Sequence, residues 1–245
     1  MIPSMTSSLP TILPESLLRV KQAFPEGTVP VECAPSDERT HRVDMDRLAS
    51  QLRFILEIDK LKSVFRQTLL LDRSRLENDA EHSWHLAVMA LLLSEYARER
   101  DIDLSRVVGM VLVHDIVEVD AGDTYLYDET GRQDKADRER AAADRLFALL
   151  PSDQASEIRG LWEEFEAAAT PEARFAAALD RFQPLLHNCL TEGEQWRKHG
   201  VTVDRVLKRV APAMAAGAPE LWAYAESLIH DAVEKGYLAK APDAK

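Results

Sequence analysis

The chain has 245 residues, of which 46% are hydrophobic and 29% charged, enough to bury a full core as one large domain or as a domain with an extension. Its 30 Lys and Arg against 42 Asp and Glu leave a formal net charge of −12, which argues against the basic stripe that binding to a nucleic-acid polymer requires. No apolar run reaches the ~18 residues of a membrane span and the start lacks a secretory pattern, so a cytoplasmic protein with no membrane partner is expected.

Residues 1–42 read as a Pro-rich arm, since Pro3, Pro10, Pro14, Pro25, Pro30 and Pro35 fall there, with one short helix from Pro14 to Ala23. From residue 43 to 240 the apolar spacing is helical. Leu48, Leu52, Ile55 and Leu56 form one stripe, which Leu61, Val64 and Phe65 continue. A second helix is expected from Ala80 to Arg100, capped by Asn78 or Asp79 and burying Val88, Leu91, Leu92 and Tyr96. The segment Leu104 to Ala121, capped by Asp103 and stopped by Gly122, is apolar on nearly all sides and belongs at the centre of a bundle. Further helices are expected over 133–150, 155–169, 171–198, 203–215 and 219–236, separated by Pro151, Pro171, Gly200 and Gly217. No run alternates over strand length, so the fold class is all-α: a helical bundle with an N-terminal arm. Trp84, Trp162, Trp196 and Trp222 read as packing anchors. Two cysteines, Cys33 and Cys189, cannot build a disulfide framework or a zinc cluster, and Cys189 reads as a small core residue.

The anomaly is His114-Asp115 in the middle of VVGMVLVHDIVEVDAGD. Side by side in an apolar helix, these two groups cost several kcal/mol to bury unless each finds a partner. Glu118 lies four residues after His114 and three after Asp115, so the three can share part of one helical face. A carboxylate one turn beyond the pair suits a base that reaches a water on a metal. Asp123 either points back into the same pocket or begins the next loop. His82 starts the second helix, and Asp180 is a lone acid in the apolar stretch FAAALDRFQPLL. Together, His82, His114, Asp115 and Asp180 make a two-imidazole, two-carboxylate metal site inside a helical bundle.

The order His82, His114-Asp115, Asp180 resembles the signature of HD-domain metal-dependent phosphohydrolases. More narrowly, RLENDAEHSWHLAVMALLL followed by HDIVEVDAGDTY is similar to the 5′-deoxynucleotidase branch, over roughly Asp44 to Trp196. The resemblance implies that His82, His114, Asp115 and Asp180 ligate one divalent metal, with Glu118 as catalytic acid or base and Asp123 as the acid assisting it. Imidazole ligands favour Mn, Co, Fe or Zn over Mg. In that chemistry Glu118 takes the proton of an attacking water, and Asp123 orients it or protonates the leaving oxygen. The substrate would be a small phosphate, most simply a nucleoside 5′-monophosphate. Arg66 resembles the family's substrate-side arginine, with Arg73, Arg75 and Lys135 as rivals. In the nucleotidases a tryptophan soon follows that arginine at the sugar, whereas Gln67 to Ser74 contains no aromatic residue. The family also implies a homodimer or higher homo-oligomer.

Two other readings compete. An HD-fold di-iron oxygenase would need further histidines, and none lies between His114-Asp115 and Asp180. A non-catalytic metal- or nucleotide-binding protein would have no use for Glu118 and Asp123 beside the ligands. His85, one turn after His82, reads as a partner or surface residue, and His187 as a polar core position. The charged run 128–140 reads as a solvated loop and a candidate lid, from which Lys135 and Arg138 could close over an anion.

Overall fold

In the computed structural model, which describes residues 44–241, the Asp44 side chain accepts the Asp46 and Arg47 amides and so starts α1, Met45–Ile58. The N-terminal arm and Cys33 lie outside the described residues. A 3-10 segment, Asp59–Ser63, follows and ends at Val64 in extended backbone. The helical stripe expected to continue through Phe65 stops here. Phe65–Leu69 is a strand, β1, paired antiparallel with β2, Leu76–Asn78, in an irregular register that sets Phe65 opposite Asn78 and Leu69 opposite Leu76. Periodicity could not show this hairpin, because the strands are short and their hydrogen bonds come from each other. The expected α1 stripe is also not the buried one: Leu52, Ile55 and Leu56 face outward, Leu56 at 63% exposure. Phe54 turns inward instead, its ring centroid 6.4 Å from that of Phe147.

The Asn78 side chain accepts the Glu81 amide while the Glu81 carboxylate accepts the Asn78 amide, a capping box that opens α2, Asp79–Leu93. This helix gives way to a 3-10 turn at Ser94–Tyr96, earlier than expected. Leu91 and Leu92, expected inside, are exposed, and Trp84 is 64% exposed where a packing anchor was expected. Leu86, Met89 and Ala90 form the inward face in their place.

The segment expected as one central helix is two. Helix α3, Leu104–Val113, ends on His114 as its C-cap, and α4, Glu118–Ala121, ends at Gly122 with φ +72. Between them the amides of Ile116, Glu118 and Val119 bond three residues back, to Val113, Asp115 and Ile116. Such three-residue turns eclipse residues i and i+3, so Asp115 and Glu118 come to one side more closely than on an α-helix.

The remaining helices are α5, Lys135–Phe147; α6, Ser152–Ala167; α7, Pro171–Leu190; α8, Glu194–Lys198; α9, Val203–Gly217; and α10, Pro219–Glu234. The expected helix over 171–198 breaks at Gly193, which has φ +66 and a backbone so close to the Tyr237 carbonyl that a Cβ would sit 2.0 Å from it. Helix α7, started by the Thr170 cap and Pro171, packs against α2, α3, α6, α9 and α10. Its Phe175 and Leu179 join Met110 and Met214 in the larger core, while Val113, Ile116 and Trp162 join Phe54 and Phe147 in a smaller one. The His114 turn therefore stands between two packed regions that fix it from both sides. The all-α reading holds, with this one two-stranded sheet added among the described residues. No described helix is long and apolar enough to cross a membrane.

Candidate metal centre

Three elements converge on one point: α2 brings His82, the turn after α3 brings His114 and Asp115, and α7 brings Asp180. All four side chains are buried. His82 Nε2 lies 3.0 Å from Asp180 Oδ1, and His114 Nε2 lies 3.1 Å from Asp115 Oδ1 and 3.7 Å from Asp180 Oδ1. Ligand atoms of His82, His114 and Asp115 all fall within 4.8 Å of one another.

The outer nitrogens decide what the inner ones can do. His114 Nδ1 donates to the Val111 carbonyl at 2.9 Å, and His82 Nδ1 faces Gln183 Oε1 at 3.1 Å. Gln183 is held in that orientation because its Nε2 donates to Glu77 Oε1 at 2.7 Å. With Nδ1 as the outward donor, the neutral form of each imidazole turns an Nε2 lone pair toward a carboxylate oxygen; His82 is in that form, and His114 reaches it when the Nε2 proton leaves. Acceptors facing acceptors in a buried place call for a cation between them, and His114 Nε2 has no hydrogen-bond partner. The donor set therefore fits a divalent transition ion.

The electrostatics follow from the crowding. Burial drives His82 down to about 4, with the Arg66 charge adding to it, so this ring is neutral. Burial also opposes the charged form of His114, but the neighbouring Asp115 carboxylate, with that of Asp180, outweighs it and carries the ring up to about 10 in the metal-free protein. Against burial, His114 and Arg66 hold Asp115 well below the usual carboxylate range. Arg181, then His114 and His82, do the same for Asp180. Glu118 goes the other way: burial, then the charges of Asp115, Asp79 and Asp123, hold its carboxyl well above the ordinary range. Its Oε2 is buried without a partner.

Arg66 on β1 enters the same centre. Its Nη1 donates to Asp115 Oδ2 at 2.7 Å and to Asp79 Oδ1 at 3.3 Å, and Nη2 stands 3.9 Å from Asp180 Oδ1. Two of the three rivals are elsewhere, Arg73 paired with Glu192 and Arg75 with Glu81, whereas Lys135 shares the cavity. Asp123 lines the adjoining cavity, about 300 Å³, with Arg66, Glu118, Tyr125, Lys135 and Arg181. Lys135 pairs with Glu139 at 2.5 Å. Arg138 is occupied, bonding the Ala121 and Gly131 carbonyls and the Thr124 hydroxyl.

Asp79 had been read only as a possible cap. It is fully buried, its Oδ2 lacks a partner, and with Asp115 and Glu118 it forms a second cluster of ligand atoms within 4.8 Å. Its position three residues before His82, one turn back on the same face, was the available signal. Gln183 stands in the same relation to Asp180.

Residues 58–222 match the family model described as HD domain. The chain belongs to the HD-domain family. The resemblance drawn from His82, His114-Asp115 and Asp180 is thereby borne out. The crystal structure of a predicted metal-dependent phosphohydrolase from Magnetospirillum magnetotacticum MS-1 is 58% identical, with a TM-score of 0.75 over 79% of this chain and 96% of that one. The 5′-deoxynucleotidase HDDC2 of Xenopus laevis is 33% identical over 56% of this HD-domain chain and 67% of its own length. The human 5′-deoxynucleotidase HDDC2 is also 33% identical, over 56% of this chain and 66% of its own length. The match thus spans about two thirds of these relatives.

Proposed function

We propose that this HD-domain protein is a metal-dependent phosphomonoesterase acting on nucleoside 5′-monophosphates or similar small phosphates. The observation that carries this reading is that Glu118, buried and with an unpartnered oxygen, faces the centre formed by His82, His114, Asp115 and Asp180, with Arg66 on the same cavity wall. Those four residues would hold one divalent ion, Mn, Co, Fe or Zn. When bound, it supplies a Lewis acid for the phosphate and lowers the pKa of a water at the centre.

The chain's own groups do the rest. The Arg66 guanidinium, which here donates to Asp115 and Asp79, would supply planar N–H donors to phosphate oxygens from the cavity wall, a geometry that Lys lacks. Glu118 takes the proton of the attacking water once the surrounding negative charge is balanced, and Asp123 orients that water or returns a proton to the leaving oxygen. Phe165 packs on the His114 ring at 4.6 Å between centroids and keeps water from that side. The cavity also carries the Tyr125 and Tyr127 rings, which supply an aromatic wall where the segment after Arg66 has none.

A cytoplasmic setting and self-association belong to the same reading. The exposed Met45, Leu52, Ile55 and Leu56 on α1, with Trp84, Leu91 and Leu92 on α2, supply apolar surface for a homodimer or higher homo-oligomer. A monomer by sedimentation at micromolar concentration would remove that part. The main test is phosphate release from a panel of nucleoside and sugar monophosphates by protein stripped with chelator and reloaded with Mn²⁺, Co²⁺ or Zn²⁺. Release should need metal and disappear in Asp115→Ala; turnover that survives both treatments overturns the proposal.

A further inference from the structure

On the far side of His82 from the centre, three more ligand-bearing side chains meet. Glu77 on β2, His85 on α2 and His187 on α7 each offer a ligand atom, and these atoms lie within 4.8 Å of one another. None of the three belongs to the centre described above. The His82 ring stands between the two places, Nε2 toward Asp180 and Nδ1 toward Gln183.

The Gln183 amide fills the middle of this second group. Its Nε2 is 2.7 Å from Glu77 Oε1, 3.1 Å from His187 Nε2 and 3.4 Å from His85 Nδ1. An amide nitrogen carries two hydrogens, and here three acceptors converge on it. His187 Nδ1 donates to the Leu69 carbonyl at 2.9 Å, which leaves the lone pair on the inward Nε2. The other oxygen of Glu77, Oε2, is buried without a partner in a residue only 2% exposed. With the His85 proton on Nε2, three lone pairs and an orphaned carboxylate oxygen surround a group that supplies two protons. Buried polar groups are normally satisfied, so the cluster is short of positive charge.

We propose that Glu77, His85 and His187 form a second site, for a divalent first-row ion such as Zn²⁺, which the Gln183 amide vacates. Two imidazoles and one carboxylate are a donor set for such ions; Mg²⁺ and Ca²⁺ prefer oxygen ligands. His85, half-buried beside the exposed Trp84, is the side from which an ion enters. Once bound, the ion ties β2, α2 and α7 together directly behind His82. The site shares no ligand with the centre assigned to phosphate hydrolysis, although the Gln183 amide that vacates it also bonds His82.

The full chain is stripped with chelator, equilibrated with Zn²⁺, freed of excess by gel filtration and counted for metal per chain by mass spectrometry. Two equivalents are expected in the natural protein, and one in either His187→Leu or His85→Gln. Asp115→Ala should lose the other equivalent and keep this one, so loss of catalysis does not bear on the count. Gln183→Ala combined with Asp115→Ala, which removes the amide, leaves the three ligands and takes the first centre out of the count, should retain the second equivalent. The half-buried His85 can be replaced without opening the core, so its variant reports even if His187→Leu does not fold. A single equivalent in the natural protein at saturating Zn²⁺, or a second equivalent that persists in His85→Gln and His187→Leu alike, overturns the proposal.

Discussion

Arg66 Nη1 donates to Asp115 Oδ2 at 2.7 Å, so the cation nearest the candidate centre is braced by one of its ligands. The same guanidinium reaches Asp79, on a different element, at 3.3 Å, while its Nε is buried without a partner. Removing it would take away a phosphate donor and leave two buried carboxylates without their countercharge. Arg66→Ala should lower kcat/KM by roughly 10²- to 10³-fold and also lower the melting temperature. Arg66→Lys should recover stability better than rate, because it restores charge without the fork. Steady-state kinetics at saturating metal, with calorimetry on the same samples, checks this; equal recovery of both would assign Arg66 to structure alone.

Glu118 offers a sharper separation of rate from stability. Burial and three neighbouring carboxylates hold its carboxyl well above the ordinary range, which favours the neutral acid in the metal-free protein. A glutamine of the same shape then costs the fold little, while the group that accepts a proton is gone. Glu118→Gln should melt close to the natural protein, bind metal, and turn over about 10²- to 10⁴-fold more slowly. Undiminished kcat would exclude Glu118 as the base.

Metal binding should also be visible as proton release. In the metal-free protein the neighbouring Asp115 carboxylate, with that of Asp180, overcomes burial and carries His114 up to about 10, whereas a ligating imidazole is neutral. Titration calorimetry at pH 7 in buffers of different ionisation enthalpy should report about one proton or more released per metal bound, falling away as pH approaches 10. The sign for stability is the same. A histidine raised from 6.5 to about 10 stabilises the metal-free fold fully below pH 6.5, and this contribution is lost as pH rises to about 10. Metal binding with no proton release at pH 7 would contradict the charged state of His114.

The helical bundle and the chemistry of its centre were legible for different reasons. Caps at Asp103 and Asn78, the break at Pro171 and the stop at Gly122 are local features that a sequence displays directly. The four candidate ligands stood out because isolated polar residues in apolar surroundings are costly and so must have partners. What stayed hidden depends on tertiary pairing. The β1–β2 hairpin draws its hydrogen bonds from across a turn, and the turn at His114 is held by packing on both sides. The outward stripe on α1 shows that periodicity identifies an apolar face without saying which neighbour covers it. Asp79 and Gln183 were one helical turn from His82 and Asp180, but their roles depend on which way the helices face.

Tyr125 tests how the missing aromatic residue after Arg66 is compensated. It lines the cavity beside Asp123, with its ring centroid 5.2 Å from Tyr127 and 4.7 Å from His199. Its hydroxyl is buried without a partner, and burial pushes the phenol well above its usual range, so the ring is neutral at any working pH. A neutral aromatic ring contributes to binding mainly through stacking and contact area. Tyr125→Ala should therefore raise KM for a nucleoside monophosphate roughly tenfold, equivalent to ~1.4 kcal/mol, with a smaller change in kcat. Tyr125→Phe separates the two contributions: it should keep most of the affinity if the ring does the binding, and lose it if the hydroxyl bonds the substrate. If Tyr125→Ala leaves KM unchanged, another surface of the cavity reads the substrate, and Gln67 and Thr68 on β1 become the residues to replace next.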